Sequence, residues 1–326
     1  MPERARLLQS IAAITRDYRA GALPSPTPAH VERWINQFPH DRQQPILAEM
    51  EYVLGKTYVS QAAVKSFLTR LINHRRWTKG DPRSFWRQVN FLDIQPRGRS
   101  QTELLALFDA MLQEECGISI AECGQGTRFL YLDDRLFSGG RLGTDLDNWI
   151  KEAAPQEAQL LVALVALHTQ GTYFTRQKLD AAIPASRKNI TLRWAYQLKI
   201  EDGLFQCNNS DVLRPTGPGN DPAVPAYIES LGKDQTWRTG DSLGPKQFFS
   251  SIQGRELLEQ EFLRQGVAIR AMCPYLNVHQ KPLGNTTMRT TGFGTLFVTF
   301  RNCPNNAPLV LWAGDPWYPL FPRLTN

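Results

Sequence analysis

The chain has 326 residues and a mass of 37.0 kDa, long enough for one large domain or two modest ones. Hydrophobic residues make up 42% of it, aromatics 10% and charged residues 21%, globular proportions that exclude disordered, collagen-like and coiled-coil classes. The net charge of +6 is uneven, because residues 1–100 carry 16 Lys and Arg against 8 Asp and Glu, whereas residues 101–326 carry 21 against 23.

Leu7, Leu8, Ile11, Ile14 and Tyr18 form a helical stripe over residues 4–20, stopped by Gly21 and the prolines at 24, 26 and 28. Thr27-Pro28 then reads as the cap and first turn of a second helix carrying Val31, Trp34, Ile35 and Phe38. Two further helices are predicted over 43–54 and 60–73, which makes residues 1–80 a helical N-terminal region. At its end, His74, Arg75, Arg76, Trp77, Lys79, Arg83 and Arg87 interleave positive charge with aromatic rings. Such a composition suits a surface facing the phosphates of nucleic acid or another acidic partner; an ordinary solvated basic face has the same composition.

From about residue 85 the pattern becomes alternating strand and helix. Phe91–Ile94 is strand-like, Gln95–Ser100 is a polar glycine loop, and Leu104, Leu105, Leu107, Phe108, Met111 and Leu112 form a helical face. A second such unit runs from the strand Arg128–Leu132 through Asp133-Asp134 and Ser138-Gly139-Gly140 into a helix with Leu142, Leu146, Trp149 and Ile150 on one side. The continuous apolar run Leu160–Leu167 reads as a central parallel strand covered on both faces, and at eight residues it is too short for a membrane helix, which needs ~20. Further on, Ile190–Leu198 reads as helical and 214–225 as a surface loop. Arg255–Gln265 is predicted as a helix stopped by Gly266, Val267–Met272 as a strand and Gly294–Phe300 as β-rich. The fold class is therefore α/β with a parallel sheet. The expected organisation is a helical region over 1–80 and an α/β domain over 85–326, with a core at 85–200 and an extension at 201–326. The N-terminus lacks the apolar segment of a signal peptide, so a cytoplasmic protein with no membrane partner is expected. Cys116, Cys123, Cys207, Cys273 and Cys303 are odd in number and free of any CxxC spacing, and are expected to be reduced structural thiols.

The most specific chemistry sits between Asp133 and Arg141. Two carboxylates at the end of a strand accept hydrogen bonds from vicinal ribose hydroxyls, directly or through bound Mg²⁺. A hydroxyl and two glycines at a helix start let backbone N–H groups approach a phosphate, whose charge the helix N-terminus favours. A ribose 5-phosphate fits both ends. His168, at the end of the apolar strand, is a weaker candidate than a satisfied core-edge histidine, and Arg255 reads first as a solvated or ion-paired residue. Signatures of P-loop NTPases, α/β-hydrolases, zinc proteases and deaminases are missing.

This segment resembles the phosphoribosyl-pyrophosphate loop of type I phosphoribosyltransferases, in which a hydrophobic strand leads into two acidic residues and a Thr/Ser-Gly-Gly-Thr cradle. Ser138, Gly139 and Gly140 match that cradle, while Arg141 stands where the family has a final threonine and Arg135-Leu136-Phe137 includes a basic residue. The resemblance implies a type I phosphoribosyltransferase-like parallel sheet. It further implies a glycosyltransferase site in which Asp133 and Asp134 hold the ribose and Mg²⁺, and Ser138, Gly139, Gly140 and Arg141 hold the 5-phosphate. The loop Arg97, Gly98, Arg99 and Ser100 would then hold pyrophosphate. The strings RFLYLDDRLFSG, GRELLEQEFL at 254–263 and GFGTLFVTFRNCPNNAPLVLW at 292–312 also resemble the phosphoribosyltransferase-like family of bacterial conflict and anti-phage systems, some of them beside retrons. That likeness implies an antiviral effector acting on phosphoribosyl pyrophosphate or a nucleotide, with a retron complex or nucleic acid as a partner through the basic N-terminal region. The alternative is a catalytically inactive protein on the same fold that senses a nucleotide or binds nucleic acid or a partner.

Overall fold

Helices open the chain because its apolar residues recur at helical spacing. The computed structural model describes residues 2–96, 100–232 and 234–323. Helix α1, Glu3–Ile14, buries Leu7, Leu8 and Ile11. It ends earlier than its apolar stripe suggested: the Tyr18 N–H turns back to the Thr15 carbonyl at 2.9 Å, and Arg19 adopts a left-handed φ of 51°. Helix α2, Pro28–Ile35, has the expected cap, with the Thr27 side chain accepting the His30 N–H at 3.2 Å. Helix α3, His40–Thr57, leads through the short strand β1, Tyr58–Val59, to α4, Gln61–Ile72.

Two short helices follow, α5 over Arg75–Thr78 and α6 over Pro82–Arg87. Strand β2 is Val89–Leu92 and helix α7 is Ser100–Cys116; strand β3 is Arg128–Leu136 and helix α8 is Gly140–Glu152. Strand β4, Glu157–His168, helix α9, Thr169–Ser186, and strand β5, Asn189–Ile200, complete the series. The four strands form a parallel sheet in the order β2-β3-β4-β5. Leu142, Leu146, Trp149 and Leu179 of α8 and α9 pack with Tyr131, Leu160, Val162 and Leu164 of the sheet. Each such aliphatic side chain contributes roughly 1.5–3 kcal/mol by leaving water.

Residues 190–198 are thus strand, correcting the helical reading. Ile190, Trp194 and Leu198 lie four apart, a spacing that satisfies period 2 as well as the helical period, and pairing with β4 selects the strand. Beyond β5 come α10, Ala223–Ser230, and α11, Ile252–Met272. Helix α11 runs straight through Gly266 and takes up the predicted strand 267–272. Gly266 is there because a Cβ at that position would fall 2.7 Å from Pro282 Cα, and a glycine that serves close packing does not stop a helix. Strands β6, Gln280–Lys281, and β7, Gly284–Asn285, pair antiparallel; of 294–300 only β8, Val298–Thr299, is strand, parallel to β1, and α12 spans Leu309–Trp312.

Residues 1–61 pack with residues 201–326 into one unit, and residues 62–200 form the other, so the chain divides at 61 and 200 rather than near 80. The buried stripes of α1 to α3 explain the first unit: Leu7, Ile11, Trp34 and Leu47 share one core with Phe262, Leu311 and Phe321. None of the five cysteines forms a disulfide. Among the described residues no helix is long and apolar enough to cross a membrane.

Candidate functional site

Parallel strands present their C-terminal ends, and the loops that follow, along one edge of a sheet. In the unit of residues 62–200 that edge carries Gln95 after β2, Phe137 to Gly139 after β3 and His168 at the end of β4. Strand β3 extends to Leu136, so Asp133 and Asp134 lie within it rather than at its end, with Asp133 in register with Leu164 of β4. Alternation along a strand directs adjacent side chains to opposite faces. Both carboxylates are buried, at 6% and 4% exposure.

Asp133 is held at both oxygens. Its Oδ1 accepts the Asp134 N–H at 2.8 Å, and its Oδ2 accepts Gln95 Nε2 at 2.6 Å. The same Gln95 nitrogen reaches the Tyr131 hydroxyl at 3.0 Å, while Gln95 Oε1 accepts the Ser100 hydroxyl at 3.0 Å. Gln101, buried in the first turn of α7, fixes the loop by accepting the N–H groups of Ile94 and Gln95. Burial, and after it the neighbouring Asp134 carboxylate, push the Asp133 carboxyl up to about 7 against those hydrogen bonds. Asp134 pairs with Arg135 Nη1 at 3.2 Å. Gln95 is the residue sequence reasoning missed; its only signal was its place in the polar loop that follows β2.

The β3–α8 turn is built for a backbone approach. Gly139 caps α8 with a left-handed φ of 76°, and a Cβ there would fall 2.2 Å from Thr175 Oγ1 and 2.4 Å from the Gly171 carbonyl oxygen. Among the described residues no side chain caps α8, which leaves the first N–H groups at the positive end of its dipole without a side-chain cap. Ser138, Gly140 and Arg141 are exposed at this turn. A phosphate is the natural guest of such a helix start.

Ser100 opens α7 and touches the Asp133 network through Gln95, whereas Arg97, Gly98 and Arg99 lie outside the described residues. His168 is fully buried, with Nδ1 3.0 Å from the Leu136 carbonyl and its ring 4.8 Å from that of Phe137, the satisfied core-edge histidine expected. Arg255, in the other unit, is fully buried and ion-paired at 2.8 Å to Glu259, which also takes Arg238 Nη2 at 2.8 Å. Among the described residues no group of three or more His, Cys, Asp or Glu is arranged to hold a metal. Asp133, hydrogen-bonded at both oxygens, and Asp134, paired with Arg135, do not by themselves make a complete metal site among the described residues.

No curated protein and no solved structure gives a significant match to the chain. The model of one family, described as PRTase-CE, matches residues 31–323, across both units and the whole β3–α8 segment. The chain therefore belongs to PRTase-CE, a phosphoribosyltransferase-like family with the parallel α/β sheet seen here.

Proposed function

We propose that the chain binds phosphoribosyl pyrophosphate, or a nucleotide with the same ribose 5-phosphate, at the C-terminal edge of the β2–β5 sheet and acts at the ribose anomeric carbon. The observation that carries this reading is the β3–α8 turn, an uncapped helix start that follows directly on two buried carboxylates. Ser138, Gly139, Gly140 and Arg141 take the 5-phosphate through backbone N–H groups and the Arg141 charge. Asp133 and Asp134 hold the ribose hydroxyls while C1 gains positive charge, and Arg97, Gly98, Arg99 and Ser100 take the pyrophosphate as it leaves. In this reading Mg²⁺ bound to the ligand's phosphates would offset their charge, with Asp133 and Asp134 beside it, since the described residues form no metal cluster of their own. Family membership and the likeness to conflict-system proteins support an effector role in bacterial anti-phage defence.

A second reading, a nucleotide sensor without turnover, is favoured by the engagement of both Asp133 oxygens with Gln95 and the Asp134 amide. Calorimetric titration of phosphoribosyl pyrophosphate with Mg²⁺ tests the site. Native protein is expected to bind in the micromolar range, and the exposed double variant Ser138→Ala/Arg141→Glu at least roughly tenfold more weakly. Equal or absent binding in both would sink the assignment. Pyrophosphate release that stops in Asp133→Asn/Asp134→Asn identifies the enzyme; binding without release identifies the sensor.

A further inference from the structure

The opposite end of the same sheet carries a second feature, which the β3–α8 turn does not use. Val89, Arg128 and Gln159 are cross-strand neighbours near the starts of β2, β3 and β4, and Leu130, Leu161 and Arg193 form the next row on the same face. Arg76, Trp77 and Lys79, with Phe85 and Trp86 of α6, close over these rows and leave a cavity of about 230 Å³. Its lining contains four cations, Arg76, Lys79, Arg128 and Arg193, and no Asp or Glu. Among the described residues none of the four is ion-paired. The Arg128 guanidinium lies 5.0 Å over the Phe85 ring, and its Nη1 donates to Gln88 Oε1 at 2.6 Å, so this cation is held in place.

Four like charges around one cavity repel one another, and the arrangement is relieved by an anion. Arginine forks match phosphate oxygens, and the flat faces of Trp77 and Phe85 suit a planar ring. The cavity is large enough for one ring system and far too small for a duplex. We infer that it binds a nucleotide, the base stacked on Trp77 and the phosphate received by Arg76, Lys79 and Arg193. The nucleotide is either free or one residue of a single strand, since single-stranded nucleic acid is gripped by this same pairing of aromatic platforms with a basic groove.

The test titrates full-length protein with 5′-AMP, with a short oligothymidylate and with inorganic pyrophosphate as a probe of charge alone. Arg76 and Lys79 are exposed, so Arg76→Glu/Lys79→Glu keeps the fold and is expected to lower affinity for the first two probes at least tenfold. Trp77→Ala is expected to lower nucleotide affinity roughly tenfold and to leave pyrophosphate unchanged. Comparable binding of AMP and oligothymidylate by the native protein identifies a free nucleotide; oligothymidylate alone identifies a single strand. Native-like nucleotide affinity in both variants, no nucleotide binding by the native protein, or equal affinity for pyrophosphate would each overturn the inference.

Discussion

Replacing Asp133 by Asn gives the most direct reading of the site's electrostatics. In the folded chain the Asp133 carboxyl is pushed from its ordinary 3.8 up to about 7, first by burial and then by Asp134. The folded state therefore keeps a proton that the unfolded chain releases, and this term favours folding fully below about pH 4 and is lost as pH rises through about 7. Three units at about 1.36 kcal/mol each set an upper limit of roughly 4 kcal/mol on the loss, part of which belongs to the Asp133–Asp134 pair rather than to Asp133 alone. Asparagine cannot ionise. Its Oδ1 still accepts the Asp134 N–H, and a turned-over Gln95 amide presents Oε1 to its NH₂ group, so the packing survives. Urea unfolding followed by tryptophan fluorescence should find native protein and variant similar below about pH 4, with the gap opening as pH rises from there. At pH 8 the variant should be more stable, by on the order of 2–4 kcal/mol. A gap that is constant with pH, or one that favours the native protein increasingly toward pH 8, would refute the account of a buried, proton-holding carboxyl.

Two other substitutions check the geometry. Gly139→Ala meets both a left-handed φ and atoms at 2.2 and 2.4 Å, and is expected to cost about 1–3 kcal/mol in thermal unfolding. Gly140→Ala, whose nearest neighbour is Ser138 Oγ at 3.7 Å, should stay within about 0.5 kcal/mol; equal costs would contradict the described turn. Glu259→Gln leaves the fully buried Arg238 and Arg255 without their carboxylate and should destabilise the chain by about 3–5 kcal/mol in urea, a loss under 1 kcal/mol being incompatible with that network.

The parts legible in the sequence are those with local causes. Thr27-Pro28 announced α2 through capping chemistry, and the switch from the apolar run at 128–132 to the spacing Leu142, Leu146, Trp149, Ile150 announced β3 and α8 around the glycine turn. The apolar run 160–167 read as a covered parallel strand for the same reason. What escaped depends on distant partners. The strand β5 exists because β4 lies beside it, Gly266 is set by Pro282, and Gln95 matters through Tyr131 and Asp133, 36 and 38 residues away. No spacing within a single segment encodes such meetings. The buried position of Asp133 and Asp134 within β3 was likewise hidden, since register with β4 determines how far the strand runs.

The pairing of Tyr58 and Val59 with Val298 and Thr299, and the Tyr18 hydroxyl bond to the Pro322 carbonyl across 304 residues, have a consequence for biosynthesis. During synthesis α1 to α3 emerge with Leu7, Ile11 and Trp34 uncovered, and must wait until the distant Leu311 and Phe321 are made before these cover them. The intervening 62–200 segment holds its own four-stranded sheet and is complete long before that. Until those partners are made, the apolar stripes of α1 to α3 stay uncovered while residues 62–200 can already order, and exposed apolar surface of that kind makes a partly made chain prone to aggregate.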